Sequence, residues 1–369
     1  MRDADYAAAL GVDEDVVDAF QRVSVAGRTY RHLPDYGAGL EKGTVLFDGT
    51  AVRGFPKVPR TLVLDPGVER HFDGPVAVEE KLNGYNVRVV RTDRSGVVAF
   101  TRAGYRCPFT TAHVRETLPL GEFFDAHPSA MLCGEVVGPE NPYTTHDYEG
   151  VGSVAFRAFD VRDRTAGAPM PVRERRETLA DHGVPRVPFF GVHDPADAAA
   201  AARAAIEDLD DRGREGVVLR GVEGGPLLKY TTGHANRAEL AGAFSLPFDY
   251  GRDFVFRRVI REAFQSVEFG ETEAAARDRA AAVGEAIVGS MRDTLLRVAA
   301  GTTVGERHTV RGDPAVLDAT LEHLRSLGLT VRVETDRTEG DERVVTFLKE
   351  TQSTNDRVRN YLGGQVVRE

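Results

Sequence analysis

Between about Pro75 and Tyr230 the chain repeats one pattern: a short apolar run, a glycine or a charged pair, then another short run. The runs read VAVEEK, NVRVVR, GVVAFTR, AMLCGEVVG, SVAFRAFDV, GVVLRG and LLKY. Runs this short, rich in β-branched and aromatic residues, predict strands. Helical patterns separate some of them, over Thr111–Phe124, Arg173–Asp181 and Asp194–Leu209. The last has Asp194 as N-cap and Pro195 at the first helical position. The mixture reads as a sheet-rich α+β domain.

The flanks differ. Residues 1–60 are mixed, with a short helix expected near Asp13–Val23 and strand-like alternation in GTVLFDGTAVRGFPKVPRTLVL. From Gly251 to Ala300 the pattern is helical: RDFVFRRVIREAFQSVEF is amphipathic, and the next thirty residues are alanine-rich. Helices of that kind pack either within the chain or on a partner. Residues 306–369 predict a small βαββα unit, with a helix over Asp313–Leu327 stopped at Gly328. There is no internal repeat and no low-complexity linker.

A length of 369 residues suits two or three domains, and 41% hydrophobic with 28% charged residues excludes wholesale disorder. No stretch approaches the roughly 20 apolar residues of a membrane span. The acidic start MRDADYAAALGVDEDVVDAF predicts no secretory signal. Cys107 and Cys133 lack CxxC spacing and read as reduced core thiols of a cytoplasmic protein. The net charge of −10 repels nucleic acid, so such a partner has to meet a local basic groove. An acidic, lysine-poor surface suits either a high-salt cytoplasm or a GC-rich genome.

Lysine occurs only at Lys42, Lys57, Lys81, Lys229 and Lys349; arginine supplies the rest of the 47 basic residues. Arginine stays protonated, whereas lysine can lose its proton and act as a nucleophile. A lysine that persists in such a chain is therefore informative. Lys81 stands in Glu79-Glu80-Lys81-Leu82-Asn83-Gly84-Tyr85-Asn86-Val87-Arg88, where two strand-like runs flank an Asn-Gly turn that favours positive φ. On its own this reads as a hairpin with an exposed lysine.

The rest of the chain changes that reading. In order follow Thr101-Arg102-Ala103-Gly104, Cys133-Gly134-Glu135-Val136-Val137-Gly138, Phe156-Arg157-Ala158-Phe159-Asp160-Val161, Arg214-Glu215-Gly216-Val217-Val218-Leu219-Arg220 and Leu227-Leu228-Lys229-Tyr230. Order and spacing together resemble motifs I, Ia, III, IIIa, IV and V of the covalent nucleotidyltransferases, the polynucleotide ligases and capping enzymes. RGFPKVPRTL, Lys-Leu-Asn-Gly-Tyr-Asn-Val-Arg and LKETQSTNDRVRNYL narrow this to a similarity with the archaeal ATP-dependent RNA ligases, the homodimeric type that circularises RNA.

The resemblance implies an N-terminal domain (1–60), a nucleotidyltransferase domain of antiparallel sheets with flanking helices (61–240), a helical dimerisation domain (241–305) and a small α+β C-terminal domain (306–369). It implies ATP as substrate, magnesium or manganese, single-stranded RNA ends as partners, a homodimer and no membrane. Lys81 is then the nucleophile that carries AMP. Free lysine has a pKa of about 10.4, so the site has to favour the neutral amine with nearby cations. Lys229 becomes the second cation, on the α-phosphate. Glu215 becomes the metal-associated carboxylate, Glu135 the ribose ligand with the metal shell as its second, lesser role, and Phe159 the adenine platform. Arg102 falls to the ribose or a substrate phosphate, and Asn86 and Arg88 to the nucleotide's far side. Glu79 or Glu80 is expected to read the adenine amino group, and Arg53 and Lys57 are candidates for pyrophosphate. Basic runs such as Arg252–Arg261 are candidates for RNA.

Two residues depart from the family pattern. Asn83 stands where ligases commonly have Asp, and Leu227 where motif V often has its first lysine. The competing readings are a DNA ligase, a capping guanylyltransferase, or a non-catalytic RNA-binding dimer, to which Leu227 alone points.

Overall fold

Four short strands, β1 (Gln21–Val25), β2 (Arg28–His32), β3 (Val45–Phe47) and β4 (Thr50–Val52), pair in that order into an antiparallel N-terminal sheet. Helix α1 (Asp3–Leu10) buries Tyr6 and Leu10 against Leu33, Leu46 and Ala51 of this unit. The structure is a computed structural model that describes residues 2–366. The helix expected over Asp13–Val23 is only a 3-10 turn, Glu14–Ala19. From Gln21 onward the backbone pairs instead with Arg28–His32. Strand pairing overrides a weak local preference.

The apolar runs of the middle segment form two sheets. One has the order β10 (Phe189–His193), β5 (Val76–Lys81), β11 (Gly216–Gly221), β12 (Leu227–Thr231). The other has the order β7 (Gly96–Thr101), β6 (Tyr85–Thr92), β8 (Ala130–Val137), β9 (Ala155–Asp163). Every pairing in both is antiparallel.

Side chains alternate across a strand, and that sorts the residues. In the first sheet Val76, Val78, Val217, Leu219 and Leu228 face helix α5 (Pro195–Asp211), which supplies Ala198, Ala202, Ile206 and Leu209. Full burial of an aliphatic side chain of that size stabilises the fold by about 1.5–3 kcal/mol. The opposite face presents Glu79, Lys81, Val218 and Lys229, which line a cavity.

The second sheet packs one face on α2 (Pro108–Thr117), α3 (Leu120–Ala126) and α4 (Val172–Asp181), through Phe109, Phe123, Phe124 and Leu179. Its other face meets Val45, Phe47 and Phe55 of the N-terminal segment. The single helix expected over Thr111–Phe124 is broken in two. Leu118 is extended and Pro119, which has no N–H to continue the helix, follows it.

Helices α6 (Gly233–Ser245), α7 (Arg252–Glu268), α8 (Glu273–Gly284) and α9 (Ser290–Ala299) make up the helical segment. The C-terminal unit is the expected βαββα: β13 (Gly305–Gly312), α10 (Pro314–Ser326), β14 (Thr330–Glu339), β15 (Glu342–Glu350) and α11 (Gln352–Leu362). Its sheet runs β13-β15-β14. Asp313 caps α10, accepting from the amides of Ala315 and Val316 at 2.9 and 3.1 Å. Val310, Leu317, Leu321, Leu324 and Phe347 join the same core cluster as Phe123 and Leu132, so this unit packs directly on the middle segment.

Candidate active site

Strands β5 and β6 are consecutive but lie in different sheets, so Leu82-Asn83-Gly84 is a crossing and not the hairpin expected from its sequence. Neither Asn83 nor Gly84 takes positive φ. Gly84 is needed for another reason: a Cβ there would lie 2.2 Å from the Val136 carbonyl oxygen. That close approach sets the last residue of β5, Lys81, at the mouth of the space between the sheets.

Lys81 pairs across β11 with Gly216, which brings the preceding residue beside it. Lys81 Nζ donates to Glu215 Oε1 at 2.5 Å, with the glutamate side chain only 8% exposed. Glu215 is held from behind by Thr232, whose amide donates to its carbonyl at 3.0 Å. Its Oε2 is buried with no partner. Burial pushes its carboxyl above the ordinary range, opposed by Lys81.

A cavity of about 290 Å³ opens from Lys81 between the two sheets. Asn86 and Glu135, register partners on β6 and β8, line it with Arg102, Phe159 and Lys229. Burial pushes Glu135 up to about 8, against the pull of Lys81. Desolvation lowers Lys229 to about 8, helped by the cations Arg60, Lys81 and Arg102. Among the described residues no carboxylate stands within ion-pair range of Lys229 or Arg102. Phe159 meets Phe55 edge-on, with ring centroids 5.2 Å apart. The Asn86 Oδ1 is buried without a partner.

Two expected positions lie away from the cavity, and a third is tied to another partner. Arg88 is fully buried and does not line the cavity. It donates to the carbonyls of Arg53, Gly43 and Thr101, bracing the N-terminal segment against the strand that leads to Arg102. Arg53 is likewise a brace, donating to Thr165 O at 2.7 Å and Leu10 O at 2.9 Å and pairing with Glu41 at 3.2 Å. Glu80 borders the cavity too, from the strand face opposite Glu79, but its carboxylate is tied to Arg214 at 2.7 Å. Glu79 does line the cavity, with Oε1 held by Arg175 at 2.6 Å and Arg176 at 3.2 Å.

Sequence reading missed what stands behind the cavity. Glu79, Asp160, Arg175 and Arg220 form a buried ion cluster, with Arg220 on Asp160 at 2.9 Å. Arg175 and Arg220 both donate to the Phe159 carbonyl, which fixes the strand that carries that ring. Charges inside otherwise apolar strands, Asp160 in SVAFRAFDV and Arg220 in GVVLRG, were the available signal. Arg60 was missed as well. Residues 59–61 run beside β12, with Lys229 N donating to Pro59 O, and Arg60 reaches Thr231 Oγ1 at 2.7 Å.

Among the described residues no three His, Cys, Asp or Glu side chains form a metal cage. Magnesium binds commonly through one or two carboxylates completed by substrate phosphates and water. The unpartnered Glu215 Oε2, beside Lys81 at the mouth of the cavity that Glu135 lines, fits that demand.

Comparison with known proteins agrees along the chain. Residues 74–231 match the RNA ligase family, and residues 242–365 match the family described as "Ligase Pab1020 C-terminal region". An uncharacterized protein of Methanocaldococcus jannaschii is 38% identical over 339 residues, covering 88% of this chain and 85% of that protein. The solved structure of an archaeal ATP-dependent RNA ligase superposes with a TM-score of 0.93 at 38% identity, covering all of both chains. A structure from Aquifex aeolicus, described as an ATP-dependent DNA ligase, shares the fold with a TM-score of 0.89 at 23% identity, covering 95% of this chain and 97% of that one.

Proposed function

The chain belongs to the archaeal ATP-dependent RNA ligase family, and we propose that it joins RNA 5′-phosphate to 3′-hydroxyl ends by way of AMP carried on Lys81. Adenine stacks on Phe159, and the second carboxylate oxygen of Glu79 accepts from its amino group. Glu135 and Asn86 take the ribose. The α-phosphate lies between Lys81 and Lys229, with Arg102 beside it.

In the first step the Lys81 amine gives its lone pair to the α-phosphorus. The bond to the β-phosphate oxygen breaks, and pyrophosphate leaves with that electron pair. The nitrogen sheds one proton before attack and one after it. Glu215, 2.5 Å away, receives the first and passes it to water, which takes the second too. Lys229 neutralises charge where it builds, the largest part of catalysis in transfers of this kind. A divalent cation, magnesium or manganese, would supply further charge neutralisation on the phosphates, held by Glu215 and Glu135.

An RNA 5′-phosphate oxygen then attacks the same phosphorus. The P–N bond breaks, and Lys81 regains its electron pair and a proton. Finally a 3′-hydroxyl, losing its proton to water, attacks the RNA 5′-phosphorus and AMP leaves. Circularisation of one RNA strand is the joining mode implied by the resemblance to the homodimeric type.

The observation that carries this reading is Lys81 at 2.5 Å from Glu215, at the mouth of a cavity shared with Lys229, Glu135 and Phe159. The test is to mix the protein with α-labelled ATP and magnesium, denature it and follow the label. Wild type retains it; Lys81→Ala and Lys81→Arg do not. Labelling by GTP in place of ATP would favour a guanylyltransferase.

The active unit is proposed to be a homodimer. Helix α7 exposes Phe256 and Val267, and α9 exposes Leu296, which a second copy would cover. Among the described residues no helix is long and apolar enough to cross a membrane. The free, buried Cys107 and Cys133 suit a reducing compartment, and the cytoplasm is the proposed location.

A further inference from the structure

Residues 138–154 join β8 to β9 and line no part of the nucleoside cavity. The C-terminal unit grips the first half of this connection. The Asn141 carbonyl accepts from His308 Nδ1 at 2.9 Å, Glu140 pairs with Arg311 at 3.2 Å, and the Tyr143 carbonyl accepts from Lys349 Nζ at 3.4 Å. Two bridges, Gly138 with His146 and Tyr148 with Val151, fold the rest. The result is that Tyr148 is carried to the Lys81 crossing. Its ring is buried among Leu82, Val137 and Val187. Its hydroxyl oxygen accepts from the Asn83 amide at 2.5 Å. The Arg214 guanidinium lies over the ring, 4.1 Å from its centroid, and holds Glu80 at 2.7 Å. Glu80 and Asn83 bracket Lys81 in sequence, and Arg214 immediately precedes Glu215. One side chain thus touches both strands that meet at the Lys81–Glu215 contact.

A nucleophile has to be held in line with the phosphorus it attacks, and a misplacement of about 1 Å can cost about 100-fold in rate. The ladder between β5 and β11 ends at Lys81 and Gly216, so it does not hold the crossing beyond them. Resting on the ligase reading, we propose that Tyr148 is a positioning residue that takes over where this ladder stops. Its hydroxyl fixes the Leu82-Asn83 crossing and with it the direction of the Lys81 side chain. Its ring fixes Arg214 and with it the turn that presents Glu215. The two roles are separable, because different atoms perform them. Tyr148 touches no reacting group and acts only through its neighbours. The C-terminal unit, none of whose residues lines the cavity, shapes the site through the connection it grips.

The test uses two full-length variants. Tyr148→Phe removes the oxygen and leaves the ring on Arg214. Arg214→Lys keeps Glu80 paired but loses the flat guanidinium that stacks on the ring. Three quantities are measured: affinity for α,β-methylene ATP, which does not transfer AMP; the single-turnover rate of AMP attachment; and the rate of sealing an RNA supplied with its 5′ end already adenylylated. In sealing, the Lys81 nitrogen makes and breaks no bond. Tyr148→Phe should slow AMP attachment about tenfold, as for one lost hydrogen bond. It should leave nucleotide affinity and sealing as in wild type, which also shows that the variant is folded. Arg214→Lys should slow attachment and sealing together, because Glu215 moves with its neighbour. It lies on a different segment and decides the matter if Tyr148→Phe does not fold. AMP attachment at the wild-type rate in Tyr148→Phe, or equal losses of affinity, attachment and sealing in the folded variant, would overturn the proposal, as would wild-type sealing by Arg214→Lys. Wild-type protein still takes up AMP in those events, whereas failure of the ligase reading would leave wild type itself unlabelled.

Discussion

Lys229 gives the enzyme a pH limit that can be calculated. Desolvation and the neighbouring cations Arg60, Lys81 and Arg102 lower its ammonium to about 8 in the absence of nucleotide. A bound α-phosphate reverses this, because an anion in contact favours the charged form. ATP is thus held best by protonated Lys229. Below about pH 7.5 the proton is already present and affinity should be flat. Above about pH 8, binding has to take up a proton, and affinity should fall about tenfold per pH unit, or 1.36 kcal/mol. The same shift acts on folding. The unfolded lysine keeps its proton to higher pH, so the free enzyme gains stability as pH rises from about 8 toward the unfolded value of about 10.4. Lys229's own titration strengthens the fold over the window in which it weakens binding, so its loss of a proton does not act by unfolding. The assay is ATP affinity by calorimetry on Lys81→Arg, which keeps the neighbouring charge but does not react, in two buffers of different ionisation enthalpy to count protons. Lys229→Arg removes the titration, since arginine stays protonated, and should flatten the profile. A flat profile in the parent, or an unchanged slope in Lys229→Arg, would refute the reasoning.

Phe159→Ala should weaken ATP by the stacking of one base, ~1–3 kcal/mol, while Phe159→Tyr retains most affinity; equilibrium binding measures both. Asp160→Asn should lower stability by about 3–5 kcal/mol in denaturant melts, because it removes the nearest carboxylate of buried Arg220 and leaves only Glu79 at 3.9 Å. Static light scattering should return twice the mass of the chain, and Phe256→Glu should return one.

Much of this was written in the sequence, because the period of two in VAVEEK, GVVLRG and LLKY fixes which side chains share a face. Once Lys81 faces the cavity, so does Glu79, and Lys229 follows through the register with Val218. The motif order that joins Lys81 to Glu135, Glu215 and Lys229 survived folding intact. What the sequence concealed depends on which sheet a strand joins. Asn-Gly between two strands normally means a hairpin, and only tertiary pairing shows that β5 and β6 part there. Arg88 shares its strand face with Asn86, but its neighbour across the sheet is Cys133, deep in the core, so its long side chain ends on carbonyls. Arg60 was hidden because arginine is everywhere in this chain. Its meaning comes from the carboxylate it lacks, and a missing partner has no local signal.

The most direct measurement is peptide mapping by mass spectrometry after incubation with ATP and magnesium. An AMP adduct on Lys81, absent from Lys81→Arg, is the expected result. An adduct on another residue, or none in any buffer, would contradict the chemistry proposed for the site.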